Sequence, residues 1–164
     1  MIHLPGRRIP VCAQRRARHM AFVSRRVLAA VLAGLISNAW PACGVSTSGV
    51  AFGSYDPFAN ADAYGAGNIG VLCDSGIAYS IALSPGSGTF AARDLTNGVE
   101  VLHYNLYTDA SLHVVWGDGA GATATVGGTG SGSAANIAVY GRIPARQNAR
   151  VGAYSDSIVV TVTF

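Results

Sequence analysis

The residues of this chain that could do chemistry form three small sets: Cys43 with Cys73, Asp109 with His113, and Asp118 inside Gly117-Asp118-Gly119-Ala120-Gly121. Asp109 and His113 have the types of an acid and a base, but a nucleophilic triad also needs a serine held by the histidine, and none is identifiably positioned. The patterns G-x-S-x-G, H-E-x-x-H and G-x-x-x-x-G-K-[ST] do not occur. The glycine-rich run around Asp118 has neither the strand-to-helix context of a phosphate loop nor the ligand spacing of a calcium loop, so it reads as turn chemistry. Asp56, Asp62, Asp74, Asp94 and Asp156 mostly neighbour Gly, Pro, Ser or Asn, where aspartate bonds its own backbone and makes turns. His103 alternates away from Leu102 and Tyr104 and reads as a strand surface residue. The expectation is a binding or structural protein: no catalytic set, no metal site, no cofactor.

The cysteines fit that expectation. Cys12 lies in a basic leader, which leaves Cys43 and Cys73 as an even pair for an oxidising compartment. A disulfide between them is the expected reading, with metal binding by two cysteines as the alternative. Closing a loop of about 30 residues would stabilise the fold by roughly 3 to 4 kcal/mol on the chain-entropy account.

Charge is divided sharply along the chain. Seven of the eleven basic residues precede residue 27, none is lysine, and from residue 40 onward four arginines face eight acids, a formal charge of −4. The sequence pI of about 9.0 therefore belongs to the leader and gives no reason to expect nucleic acid. Behind the basic front, Val27 to Ile36 is an apolar run too short to cross a bilayer, and small residues follow. This is the pattern of a signal peptide over residues 1–39, with cleavage after Ala39 and an alternative start at Met20. A twin-arginine route from Ser24-Arg25-Arg26-Val27-Leu28 and a buried N-terminal helix are the other readings. Residues 40–164 form one mature domain with no spanning segment.

The elements that must position these residues are strands. Period-two alternation predicts strands over 44–52, 67–73, 77–83, 89–93, 99–108, 122–126 and 134–142, with a loop over 58–66. Asn97-Gly98 is the strongest hairpin signal. No helical stripe persists after residue 40, so the class is all-β, an antiparallel sandwich. Trp116 and Tyr107, near the glycine-rich loop, suggest an alternative function: a self-sufficient secreted carbohydrate-binding or adhesin module.

The last stretch, 152–164, reads as one strand. Tyr154, Ile158, Val160, Val162 and Phe164 share one face, while Ser155, Ser157, Thr161 and Thr163 share the other. As the sequence's final element it is expected to lack a covering neighbour, and an apolar strand edge in that state is a template for pairing with another chain.

Taken together, Cys43-Gly44-Val45-Ser46, Ala51-Phe52-Gly53-Ser54-Tyr55-Asp56-Pro57, Tyr104-Asn105-Leu106-Tyr107-Thr108-Asp109-Ala110, Trp116-Gly117-Asp118-Gly119, Tyr140-Gly141-Arg142-Ile143-Pro144 and Gly152-Ala153-Tyr154-Ser155-Asp156 resemble the spore coat protein U domain family. That family includes subunits of archaic chaperone-usher pili. The resemblance implies an immunoglobulin-like antiparallel β-sandwich lacking its last strand. It implies partners as well: a periplasmic chaperone that lends a strand, an outer-membrane usher, and a neighbouring pilus subunit whose segment replaces the chaperone's. Tyr154, Ile158, Val160, Val162 and Phe164 would border the groove, Cys43 and Cys73 match the family's disulfide positions, and the setting would be the cell surface, adhesion and biofilm. Shaft subunits of this kind carry a donor segment before the first cysteine. Here Trp40-Pro41-Ala42 alone separates the expected cleavage site from Cys43, which leads to the expectation of a terminal or tip-like subunit that accepts a strand without giving one.

Overall fold

The computed structural model describes residues 42–164, so the expected signal segment lies outside the described residues. Within them the chain forms ten strands and no helix: β1 (Cys43–Ala51), β2 (Ala63–Cys73), β3 (Ala78–Leu83), β4 (Arg93–Thr96), β5 (Val101–Tyr107), β6 (Val115–Trp116), β7 (Thr123–Ala124), β8 (Val126–Thr129), β9 (Ala135–Ile143) and β10 (Val160–Thr163). The larger sheet runs β1-β2-β9-β5-β6-β7, with β4 also on β5; the smaller runs β10-β3-β8. All pairings are antiparallel except β6 with β7, which is parallel and departs from the purely antiparallel expectation.

Side chains of the two inner faces make one core. Ile69 and Val71 of β2, Ile81 and Leu83 of β3, Leu102, Tyr104 and Leu106 of β5, and Val139 and Ile143 of β9 are all buried. They recur at period two because successive strand residues face opposite sides of the sheet. Tyr104 receives Phe52 edge-to-face, with ring centroids 5.7 Å apart.

Four boundaries differ from expectation, each for a pairing reason. The single strand expected over 122–126 is divided at Thr125 between β7, which pairs with β6, and β8, which pairs with β3. Residues 63–66, expected in a loop, extend β2 because their backbone pairs with 140–143 of β9. The strand expected over 89–93 begins only at Arg93. Residues 89–92 close a turn in which the Thr89 N–H donates to the Ala92 carbonyl at 2.8 Å. The expected strand over 152–164 is a strand only at Val160–Thr163, preceded by a single bridge of Ser155 to Thr96. The Asn97-Gly98 turn forms as expected, with Gly98 at φ +95° and the Asn97 Oδ1 accepting the Val99 and Glu100 N–H groups.

The candidate functional site, an unpaired edge

The two lateral sides of the sandwich are built differently. On one side the chain passes from β7 in the larger sheet to β8 in the smaller across Thr125 alone. That side is stitched between sheets: the Leu83 N–H donates to the Gly117 carbonyl at 3.0 Å, and the Trp116 indole N–H to the Ile81 carbonyl at 3.0 Å. Arg93, 0% exposed, donates to the carbonyls of Trp116 at 2.7 Å and Ser84 at 3.0 Å, and to Asn105 Oδ1. Burial lowers its pKa, and the nearby Tyr104 and Asp156 oppose that shift.

The other side carries two strand edges, β1 and β10, each with no second neighbour among the described residues. Cys43, Val45 and Thr47 of β1 lie directly opposite Cys73, Val71 and Ile69 of β2, and so point to the same inner face. Yet Val71 and Ile69 are buried, while Val45 is 45% exposed and Thr47 is exposed too. An inward side chain that still meets water marks a place where the opposite sheet does not reach.

The far wall is the C-terminal segment. Val160 and Val162 oppose Leu83 and Ile81, both buried, so Ile158, Val160, Val162 and Phe164 face inward. Ile158 and Val162 are buried, Val160 is partly buried and Phe164 is 56% exposed. Hydrogen bonding fixes which amides look outward. The Ser84 N–H donates to the Val159 carbonyl, so residues 159, 161 and 163 bond toward β3. By the alternation of an antiparallel ladder, the N–H and C=O groups of Val160 and Val162 then point to the open side.

Between the walls lies a small apolar void of about 10 Å³, lined by Ser48, Val50, Ile69, Leu83, Leu106, Val139 and Ile158. It is continuous in sequence with a wider pocket of about 510 Å³ that Phe52, Tyr55, Leu95, Leu102, Ile143 and Tyr154 help to line.

Tyr154, Ile158, Val160, Val162 and Phe164 thus occupy one wall. Sequence reasoning missed the opposite one, Val45, Thr47 and Val50. It also took Asp156 for a turn residue, whereas Asp156 is 4% exposed and accepts four hydrogen bonds. The signal was present, because 156 falls in the inward register of 154, 158, 160 and 162. Cys43 and Cys73 are joined in a disulfide that ties the free-edged strand to β2.

The other candidate residues carry no comparable arrangement. Ser111 Oγ lies between Asp109 Oδ1 and His113 Nδ1, 2.9 Å from the histidine, so the serine and not the histidine is central. That order is an Asx turn, in which the Ser111 N–H donates to Asp109 at 2.8 Å, and it cannot pass a proton from serine through histidine to acid. The Ser111 hydrogen bonds hold the Asp109 carboxyl below the usual carboxylate range. Asp118 Oδ1 accepts the Ala120 N–H in the glycine-rich turn. Among the described residues no group of three His, Cys, Asp or Glu could hold a metal ion, and no helix is long and apolar enough to cross a membrane. Trp116 and Tyr107 are buried, so neither offers a ring face to a sugar, which corrects the expectation of a carbohydrate platform there.

Fold and edge together define the class: an immunoglobulin-like all-β sandwich closed on one side and open on the other. The chain matches the Spore Coat Protein U domain over residues 28–161. It is similar to "Protein U" of Myxococcus xanthus, with 32% identity over 127 residues that cover 69% of this chain and 70% of that protein. The chain belongs to the spore coat protein U domain family. Its fold is also that of a chain in the crystal structure of the CsuC-CsuE chaperone-tip adhesion subunit pre-assembly complex from archaic chaperone-usher Csu pili of Acinetobacter baumannii. There the TM-score is 0.57 at 19% identity, and the match covers 76% of this chain and 40% of that one.

Proposed function

We propose that this protein is a structural subunit of a chaperone-usher pilus or cell-surface coat, and that the gap between β1 and β10 receives a strand from another chain. The carrying observation is the unpaired edge, where Val160 and Val162 present backbone donors and acceptors above apolar inward side chains. Buried backbone groups require partners, and a strand laid along β10 would supply them while covering Val45 and Phe164. The wider pocket of about 510 Å³ suits a large side chain of that strand.

Export fits the basic and apolar pattern of residues 1–39 as a signal peptide, with passage through the periplasm and a surface destination. A periplasmic chaperone would fill the gap first. An outer-membrane usher would then exchange it for a neighbouring subunit. The Acinetobacter complex pairs a chaperone with a tip adhesion subunit. For this chain a tip-like place would mean accepting a strand without giving one.

Expressing the full chain in a periplasm with and without its chaperone tests this. The expected result is soluble 1:1 complex with the chaperone, and degraded or aggregated chain without it. Equal yields of stable monomer in both cultures would overturn the proposal.

A further inference from the structure

Between Ser155 and Val159 the C-terminal segment changes sheets. Ser155 exchanges both backbone hydrogen bonds with Thr96 of β4, at 2.9 and 3.0 Å, and Val159 bonds Ser84 at the end of β3. Asp156 sits at the crossing, buried, with its carboxylate shared between the two sheets. One oxygen, Oδ2, accepts the Tyr104 hydroxyl from β5 at 2.7 Å. The other, Oδ1, accepts the Ser87 N–H at 3.0 Å, the Ser87 hydroxyl at 2.9 Å and the Ser157 N–H at 2.8 Å. The surroundings are shaped to fit it: Gly86 has φ +68°, and a Cβ there would lie 2.0 Å from Oδ2. Four donors saturate the carboxylate, and a buried group held so fully fixes its segment in place.

We infer that Asp156 is a positioning residue. It locks the crossing so that Ile158, Val160 and Val162 stand in register along β3 before any strand arrives, which gives the gap a formed wall instead of a fraying terminus. The inference rests on the reading of the gap as a strand acceptor, since only then does a preformed edge have a use. It acts through Ile158 and the ladder of β10 with β3, not by touching the incoming strand.

Hydrogen exchange on the full chain, in whichever form it purifies, tests this directly. The Thr161 and Thr163 amides face β3, so their protection reports the position of β10 whether or not the gap is filled. Asp156→Ala should speed their exchange by about tenfold or more while amides of the β2–β9 ladder change by less than about twofold. Asp156→Asn should restore most of the protection, because its oxygen can keep the three donors on one side and its amide can donate to the Tyr104 hydroxyl, which then accepts. Tyr104→Phe, which removes one donor of the four, gives a smaller loss and serves if Asp156→Ala fails to fold. Trp116→Phe on the stitched side is the control, expected to leave Thr161 and Thr163 no more affected than the rest. A uniform change across all ladders in Asp156→Ala, or equal loss in the Asn and Ala variants, would overturn the inference. No donor strand enters this readout, so it can fail while the acceptor reading stands, and the reverse.

Discussion

The stitched side and the open side of this sandwich use the same kinds of strand and differ in how the edges end. On the stitched side β7 and β8 are also each paired once, but β7 leads into β8 through one residue, and Arg93, Trp116 and Gly117 bond across the sheets. On the open side β1 and β10 are each paired once, and Val45 and Phe164 remain partly in water despite facing inward. Strand edges left bare are a hazard that proteins ordinarily blunt with charge, proline or a bulge. Here β1 carries a register shift between Ser48 and Ala51, but neither Val160 nor Val162 is replaced by a charged residue. An edge left apolar and without charge along Val160 and Val162 is what the proposed strand acceptor requires.

That contrast is open to disruption from either side. Trp116→Ala should do the most damage, by about 3 to 5 kcal/mol, because it empties a fully buried site and orphans the Ile81 carbonyl. Chemical denaturation would read it, and a loss below about 1 kcal/mol would show that the stitched side does not hold the sheets together.

Replacing Cys43 and Cys73 together by alanine should cost roughly 3 to 4 kcal/mol, since the bridge closes a loop with a separation of 30 residues. The effect should concentrate on β1, whose outer edge has no partner among the described residues. A denaturation midpoint that does not move on reduction would argue that β1 is held otherwise.

Next in size is an alkaline effect. Burial and the hydrogen bond to Asp156 hold the Tyr104 phenol well above its ordinary value of 10.0. The folded protein keeps a proton that the unfolded chain gives up above that value, so stability is intact below it and falls as pH rises beyond. At about pH 11 the loss from this group should reach roughly 1.4 kcal/mol. Tyr104→Phe should abolish that part of the slope in denaturation curves measured across the range, and an unchanged slope would count against it.

Val45→Ser sharpens the comparison most although its direct effect is smallest. In the unpaired chain it should change stability by no more than about 0.5 kcal/mol, because the side chain is already half in water. In a strand-bound complex the same substitution should weaken affinity several-fold, by removing apolar surface that only the incoming strand covers. Equal small effects in both states would place Val45 outside the gap.

Much of this was legible in the sequence, for a physical reason. Period-two alternation follows from strand geometry, so 44–52, 77–83 and 134–142 could be read to within a residue or two of β1, β3 and β9. The residues of the C-terminal wall were legible in the same way. What escaped depended on partners far along the chain. Ala63 to Ala66 shows no alternation worth reading and becomes strand because β9 pairs with it. Arg93 gives no local sign that Ser84, Asn105 and Trp116 will enclose it. Asp156 sat in the apolar register in plain view, but its serine neighbours resembled a turn, and its true donors, Tyr104 and Ser87, lie 52 and 69 residues away.

The most direct test of the central claim is the amide exchange of four residues in β10, measured on the full chain bound to its chaperone and on the chain alone, refolded in vitro at a concentration low enough to keep it from aggregating. The open edge predicts a period-two pattern in the chain alone, with Thr161 and Thr163 slow and Val160 and Val162 near the unprotected rate, and all four slow in the complex. Slow exchange at Val160 and Val162 in the chain alone would mean that the edge is already paired, and would contradict the account.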